Sequence, residues 1–263
     1  MKFKLGFESE QNKNEYGFAQ HSEAKKSLVE VMFPDKNLVL TYFNDMFDLH
    51  EGDFVYVEGR LEGIRGIVVS VSYNFKIRIS DYRKVVCLVD TDIKGSFYQT
   101  LTHFITFEPD SLPAQKVLSW YRLVNEDDYE FSTDDSSFPL DELEKMDISE
   151  VIRNRGINYH KENRVRYISL YNGKGFAIVE GSEAYTVEFE YNDGQIKNLL
   201  CDCYCSYNCK HMYAAMLTLR DMLESIEKSY KSQYEASGCF AAVCKDDLYT
   251  LCIRNRKDST IEL

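Results

Sequence analysis

Apolar and polar positions alternate with a short period through the first part of the chain and with a helical period near its end. Residues 28 to 107 carry the segments LVEVMF, LVLTYF, DFVYVEG, GIVVSV, FKIRI, KVVCLV and FYQTLTHFITF, rich in β-branched and aromatic types and separated by glycine, aspartate and asparagine. Each predicts a short strand. Gly52, Gly59, Gly63 and Gly66 supply the permissive backbone that a tightly curved small sheet needs between strands. The stretch SLPAQKVLSWYRL then predicts a short helix that closes this domain, with Ser111 as cap and Pro113 in its first turn. Its Trp120, the only tryptophan, is expected in packing.

The pattern lapses over 124 to 147, VNEDDYEFSTDDSSFPLDELEKMD, where large aliphatics are few and Asp, Glu and Ser dominate, the composition of a linker. From Ile148 it resumes with a short helix and strands near VRYISLY, GFAIVEG, YTVEFEY and QIKNLL. Asn192-Asp193-Gly194 predicts a tight hairpin between the last two. Met212, Ala215, Met216, Leu219, Met222, Leu223 and Ile226 then form one stripe at helical spacing. Residues 238 to 263 read as a closing hairpin and final strand. The expected organisation is a β domain over 1–123, an acidic linker over 124–147, a mixed module over 148–230 and a C-terminal β-hairpin over 231–263.

Charge changes the picture once its distribution is seen. The formal net charge is −12, which taken alone disfavours a phosphate-bearing partner. Residues 126 to 150 hold eleven acids and one lysine, so only about −2 is left for the rest of the chain. A basic stretch follows directly: Arg153, Arg155, Lys161, Arg164, Arg166 and Lys174, with Glu162 the single acid among them. These six are the candidate nucleic-acid contacts, because guanidinium and ammonium groups suit phosphate. The bland reading of the same residues is a solvated face paired with acidic neighbours.

No apolar run suggests a secretory leader or a membrane span, and the expected compartment is the cytoplasm. A reducing compartment makes a local Cys/His cluster a metal site rather than a disulfide. Such a cluster is present: CDCYCSYNCKH, residues 201 to 211, packs four cysteines and a histidine. A Cys-x-Cys pair leaving a strand and a Cys-x-His pair entering a helix can converge on one tetrahedral point, and this donor set suits zinc. Spacing alone allows Cys203, Cys205, Cys209 and His211 as well as Cys201, Cys203, Cys209 and His211. Four protein ligands close the metal shell, which points to one structural zinc rather than a catalytic one. Asp202, between two ligands, should point away from the metal. The other cysteines sit in strand-like apolar contexts, and His21, His50, His103 and His160 are expected to be surface or structural.

Cys-x-Cys, a spacer and Cys-x-His before an apolar helix resemble the SWIM-type zinc finger, and AYTVEFEYNDGQIKNLLCDC resembles the hairpin that leads into it. The resemblance covers roughly residues 150 to 225. It implies Cys201, Cys203, Cys209 and His211 as the ligands, leaves Cys205 as an extra thiol, and implies DNA-binding or protein-interaction roles. GDFVYVEGRLEGIRGIVVSV is similar to the glycine-punctuated strand pairs of small KOW, Tudor-like and PSP1-like barrels. The expected fold class is therefore α+β, a small SH3-like β-barrel followed by a zinc-stabilised hairpin and helix. With no GxGxxG, P-loop, HExxH or GxSxG motif, the expected protein is not an enzyme. It binds nucleic acid or serves as a protein adaptor in a larger DNA-processing complex, with thiol redox or zinc sensing through Cys205 as a third reading.

Overall fold

The computed structural model describes residues 25–124, 132–133, 136–205 and 207–253, with the backbone of 260–262. His21 and much of the acidic segment lie outside the described residues. The chain forms two compact units. The first takes in 25–90 and 122–124, the second 91–121 and the described residues beyond 131.

In the first unit β1 (Ser27–Phe33), β2 (Leu38–Asn44), β3 (Phe54–Val57), β4 (Gly66–Ser72) and β5 (Val85–Leu88) make one antiparallel sheet ordered β2-β1-β4-β3-β5. Alternate residues of β1, Val29, Val31 and Phe33, are fully buried with Tyr42, Val55, Val57, Val68 and Val85. The strands follow the alternation, but the expected barrel does not close. The edge strands meet only where Phe43 bridges Lys84, because Leu38 to Thr41 of β2 run out into solvent. FKIRI is also not a strand. Phe75 and Ile77 are half-buried at alternate positions, so the segment is held by side chains without a ladder partner, and Phe75 lies edge-on to Phe43 with ring centroids 6.1 Å apart.

The second unit adds β6 (Lys94–Ser96), β7 (Tyr98–Gln99), β8 (His103–Thr106), α1 (Ala114–Ser119), β9 (Ser137–Pro139), α2 (Glu150–Lys161), β10 (Val165–Tyr171), β11 (Lys174–Glu180), β12 (Ala184–Asn192), β13 (Gln195–Cys201), α3 (Lys210–Ser229), α4 (Lys231–Ser237), β14 (Cys239–Cys244) and β15 (Thr260–Glu262). Eight strands form one antiparallel sheet ordered β7-β8-β14-β10-β11-β12-β13-β9. Met212, Ala215, Met216, Leu219, Met222 and Ile226 of α3 are buried in one core with Val165, Ile168, Ala177, Val179 and Val187 of the strands. The predicted stripe is thus the face that α3 buries.

Three expectations about this region change. Residues 91–121, expected in the first domain, belong to the second unit, because β8 pairs with β14 from Thr106↔Ala241 to His103↔Cys244. Their helix α1 therefore closes no barrel. Ser111 does not cap it but donates to Glu108 at 3.0 Å, and Trp120 is fully buried, as packing required. The expected C-terminal hairpin is not formed. β14 pairs with β8 and β10 inside the large sheet, and β15 pairs in parallel with β6. Finally, the linker is ordered at its end: β9 pairs with β13, and Leu140, Leu143 and Met146 are buried in the core.

Candidate metal centre

The hairpin that delivers the first ligands is built as its sequence predicts. Asp193 (φ 50°) and Gly194 (φ 80°) take the left-handed region between paired Asn192 and Gln195. Farther along β13 a bulge intervenes. Lys197 pairs with Glu190 and Leu200 with Glu188, so two residues of β13 oppose one of β12, and Asn198 takes a φ of 49°. The extra residue flips the facing of everything after it. Ile196 is buried before the bulge. Beyond it Leu199, Cys201 and Cys203 pack on the core, and Cys201 lies opposite buried Val187. Strict alternation from Ile196 would have turned Cys201 away from the helix.

Asp202 takes the other face, as expected, and has a task there. Its carboxylate accepts hydrogen bonds from the backbone N–H and the hydroxyl of Thr186, each at 2.8 Å. That clamps the Cys-x-Cys segment to β12. The second ligand pair opens α3: Cys209 is its N-cap, with Sγ accepting from the Met212 N–H at 3.5 Å, and His211 lies in the first turn.

Cys201, Cys203, Cys209 and His211 each turn one ligand atom to a common point, all four atoms lying within 4.8 Å of one another. His211 Nδ1 is 3.8 Å from Cys201 Sγ and 3.7 Å from Cys209 Sγ. A tetrahedral zinc with Zn–S of about 2.3 Å and Zn–N of about 2.0 Å has sulfur-to-nitrogen edges of about 3.5 Å, so the donor set fits a metal of this kind. Cys205 is exposed and outside the group, which decides between the two spacings that the sequence allowed.

The imidazole is fixed from behind. His211 is buried and stacks on the Tyr185 ring, centroids 4.3 Å apart, while Tyr185 is itself tied to Ser182 by a 2.8 Å hydrogen bond. Gly181 makes room for the pair, since a Cβ there would meet Tyr185 at 2.8 Å and His211 Nε2 at 3.2 Å. Among the described residues Nε2 has no hydrogen-bond partner, and there stacking rather than a second hydrogen bond orients this ring. Among the thiols, the hydrogen bond from Cys201 holds Cys209 well below the usual thiol range, against its burial and helped by His211 and the Met212 N–H. The same bond, with burial, raises Cys201, and burial pushes Cys203 up to about 12. Cys209 stands at the helix N-terminus, where the macrodipole favours a thiolate.

The six basic residues are spread over α2, the turn that follows it, the start of β10 and the start of β11. Arg166 pairs with Glu180 at 2.6 Å and with Asp247 at 3.6 Å, Arg164 pairs with Glu162 at 2.6 Å, and Arg153 donates to the Glu144 carbonyl at 3.2 Å. Lys174 lies beside Tyr171 at the opposite end of β10 from Arg166, five residues and about 17 Å along the strand. Arg155 and Lys161 are exposed on α2. Lys210, absent from the predicted set, lies with its Nζ 4.6 Å from the Tyr159 ring centre, and the Arg164 guanidinium lies 5.1 Å from the same ring. Its place directly before a metal ligand is the signal that could have found it. The spacer displays Tyr204 and Tyr207, 97% and 66% exposed.

No family model matches the chain, and no solved structure matches it. It is 36% identical over 69 residues to a protein of Methanocaldococcus jannaschii described as uncharacterized. That stretch is 26% of this chain and 29% of the relative, so the chain spans less than a third of the relative's length and the likeness carries no activity. Among the described residues no helix is long and apolar enough to cross a membrane.

Proposed function

We propose that the second unit is a SWIM-type module organised by one structural zinc ion, held by Cys201, Cys203, Cys209 and His211, in a non-enzymatic binding protein. The observation that carries this reading is the convergence of three thiols and one imidazole nitrogen to within 4.8 Å of one another between a strand end and a helix start. Four protein ligands leave no open position for water or substrate. The ion clasps β13 to α3.

The partner we propose is nucleic acid. Exposed Tyr204 and Tyr207, in the spacer that runs into Lys210, support it, since bases stack on accessible aromatic rings while cations take the phosphates. The competing partner is a protein in a larger assembly, favoured by the net charge of −12 and by the ion pairs that engage Arg164 and Arg166. Elemental analysis of the purified protein tests the metal: one zinc per chain is expected, and less than half an equivalent in Cys209→Ser. Salt-titrated binding to labelled single-stranded DNA and RNA tests the partner. An affinity that falls steeply with salt and weakens in a Tyr204→Ala/Tyr207→Ala variant supports nucleic acid. No binding at low salt overturns it and leaves the adaptor reading.

A further inference from the structure

Away from the metal centre the second unit has an open groove of about 600 Å³, a volume within the range of ligand and peptide sites. Three separate elements make it: the turn after β9, the β12–β13 hairpin and the third and fourth turns of α3. Leu140, Tyr191 and Leu223 give it apolar and aromatic walls. Asp141, Asp193 and Glu224 set carboxylates along the same walls, and none of the three is in an ion pair among the described residues. Glu142 also lines the groove but is paired with Lys145, and Arg220 is the one cation in the lining. The field of these acids is felt inside. The Tyr191 phenol is raised by burial and further by Asp141 and Asp193.

We propose that this groove docks a lysine- or arginine-bearing peptide segment of a protein partner. An aromatic wall beside unpaired carboxylates is the complement of a cationic side chain carried next to an apolar one. The ring face attracts the cation and buries its methylene stem, and the acids hold its charge. Recognition here is by side chains rather than by strand addition. β9, the edge strand beside the groove, has only three residues and ends in Pro139, whose nitrogen has no hydrogen to donate. The groove thus gives a use to part of the acidic sequence that the metal centre leaves idle.

The test uses the zinc-loaded full-length protein and a short fluorescein-labelled peptide of alternating lysine and leucine, read by anisotropy. Saturable binding that weakens with salt is expected, with at least about a tenfold loss of affinity in Asp193→Asn/Glu224→Gln and no loss in Glu51→Gln, an exposed acid of the other unit. Should the double variant fail to fold, Asp141→Asn alone is read in the same way and is expected to weaken binding severalfold. The proposal is overturned if wild type shows no binding, if the variants bind as tightly as wild type, or if an alternating glutamate and leucine peptide binds equally well. It is also overturned if spermine binds the groove as tightly as the peptide, since the apolar walls would then contribute nothing. Zinc content is measured on every sample, so loss of the metal centre and loss of the groove are read separately.

Discussion

The two units both rest on antiparallel sheets, yet they fix their irregular segments by different means. After β2 of the first unit the chain returns Phe47 and Leu49 to the core, each 1% exposed, and a single buried amide suffices to shape the turn. Asn44 donates to the Ser27 hydroxyl at 3.0 Å and to the Phe47 carbonyl at 2.6 Å, and accepts from the Phe47 N–H at 3.0 Å. After β13 of the second unit the chain has no such apolar return, since Tyr204 and Tyr207 face solvent. Among the described residues of 201 to 211, the buried ones are the ligands Cys209 and His211. Where a loop can anchor itself by hydrophobic burial, one hydrogen-bonded side chain completes it; where it cannot, a metal is the available source of order.

The sharpest way to break this contrast is to remove the metal. Structural zinc contributes roughly 10 kcal/mol of apparent binding free energy in small modules. Part of that role is replaced here by the buried stripe of α3, so Cys209→Ser or chelation should cost the second unit at least about 4 kcal/mol. Hydrogen exchange should rise over 195–225 and stay unchanged over 27–89. An equal rise in both units would show that they unfold together and that the contrast is false.

Next in size is a pH effect confined to the second unit. His103 is buried, with Nε2 2.8 Å from the Val165 carbonyl and Nδ1 2.8 Å from the Thr102 hydroxyl, and burial lowers it to about 4. The unfolded chain takes up that proton near 6.5, so His103 contributes stability that is fully present above about pH 6.5 and is lost as pH falls toward 4. The expected loss is roughly 3 kcal/mol. Urea unfolding of the second unit at pH 7 and pH 5 should show about 2 kcal/mol of this loss in wild type and much less in His103→Gln; an unchanged slope with pH in the variant would refute it. The first unit has an internal lever of its own. Asn44→Ala leaves the Phe47 carbonyl and N–H without their partner and should cost about 2 kcal/mol, read as a lower urea midpoint for residues 27–89 with zinc content unaltered.

The same contrast explains what the sequence could and could not reveal. Ligand spacing, the Asp193-Gly194 turn and the α3 stripe are local patterns, and each formed where it was expected. The pairing of β8 with β14 joins His103 to Cys244 across more than half the chain, and no local period encodes such a partner. The end of the presumed linker was hidden by charge: Leu140, Leu143 and Met146 are spaced for burial, but the acids around them gave the stretch the composition of a solvated segment. The bulge at Asn198 left least trace. It needs only one asparagine in the left-handed region, yet it decides which face Cys201 and Cys203 present.

A smaller effect tests how the imidazole is held. Gly181→Ala puts a methyl group against Tyr185 and His211 Nε2, so the stack must shift while all four ligands remain. Zinc affinity should fall about tenfold, the lower end for residues that support ligands, with the thermal midpoint of the metal-loaded protein lowered by only about 3–6 °C. Competition with a chromophoric chelator reads the affinity, and wild-type affinity in the variant would mean that the Tyr185 stack does not orient the ligand.

The smallest expected effect is at Cys205. It shares the spacer with two exposed tyrosines and lies outside the four converging atoms, so Cys205→Ser should keep one zinc per chain at wild-type affinity. The substitution also separates a bystander from a sensor. If the exposed thiol governs metal release under oxidation, mild peroxide should expel zinc from wild type at a rate that the variant does not show, because a sulfenic acid formed at Cys205 can condense with a ligand thiol and withdraw it from the metal. Equal rates would assign release to the ligands themselves. The spacer would then serve only to carry Tyr204 and Tyr207 between the two halves of the clasp, and its one cysteine would have no part in the chemistry of the four ligands.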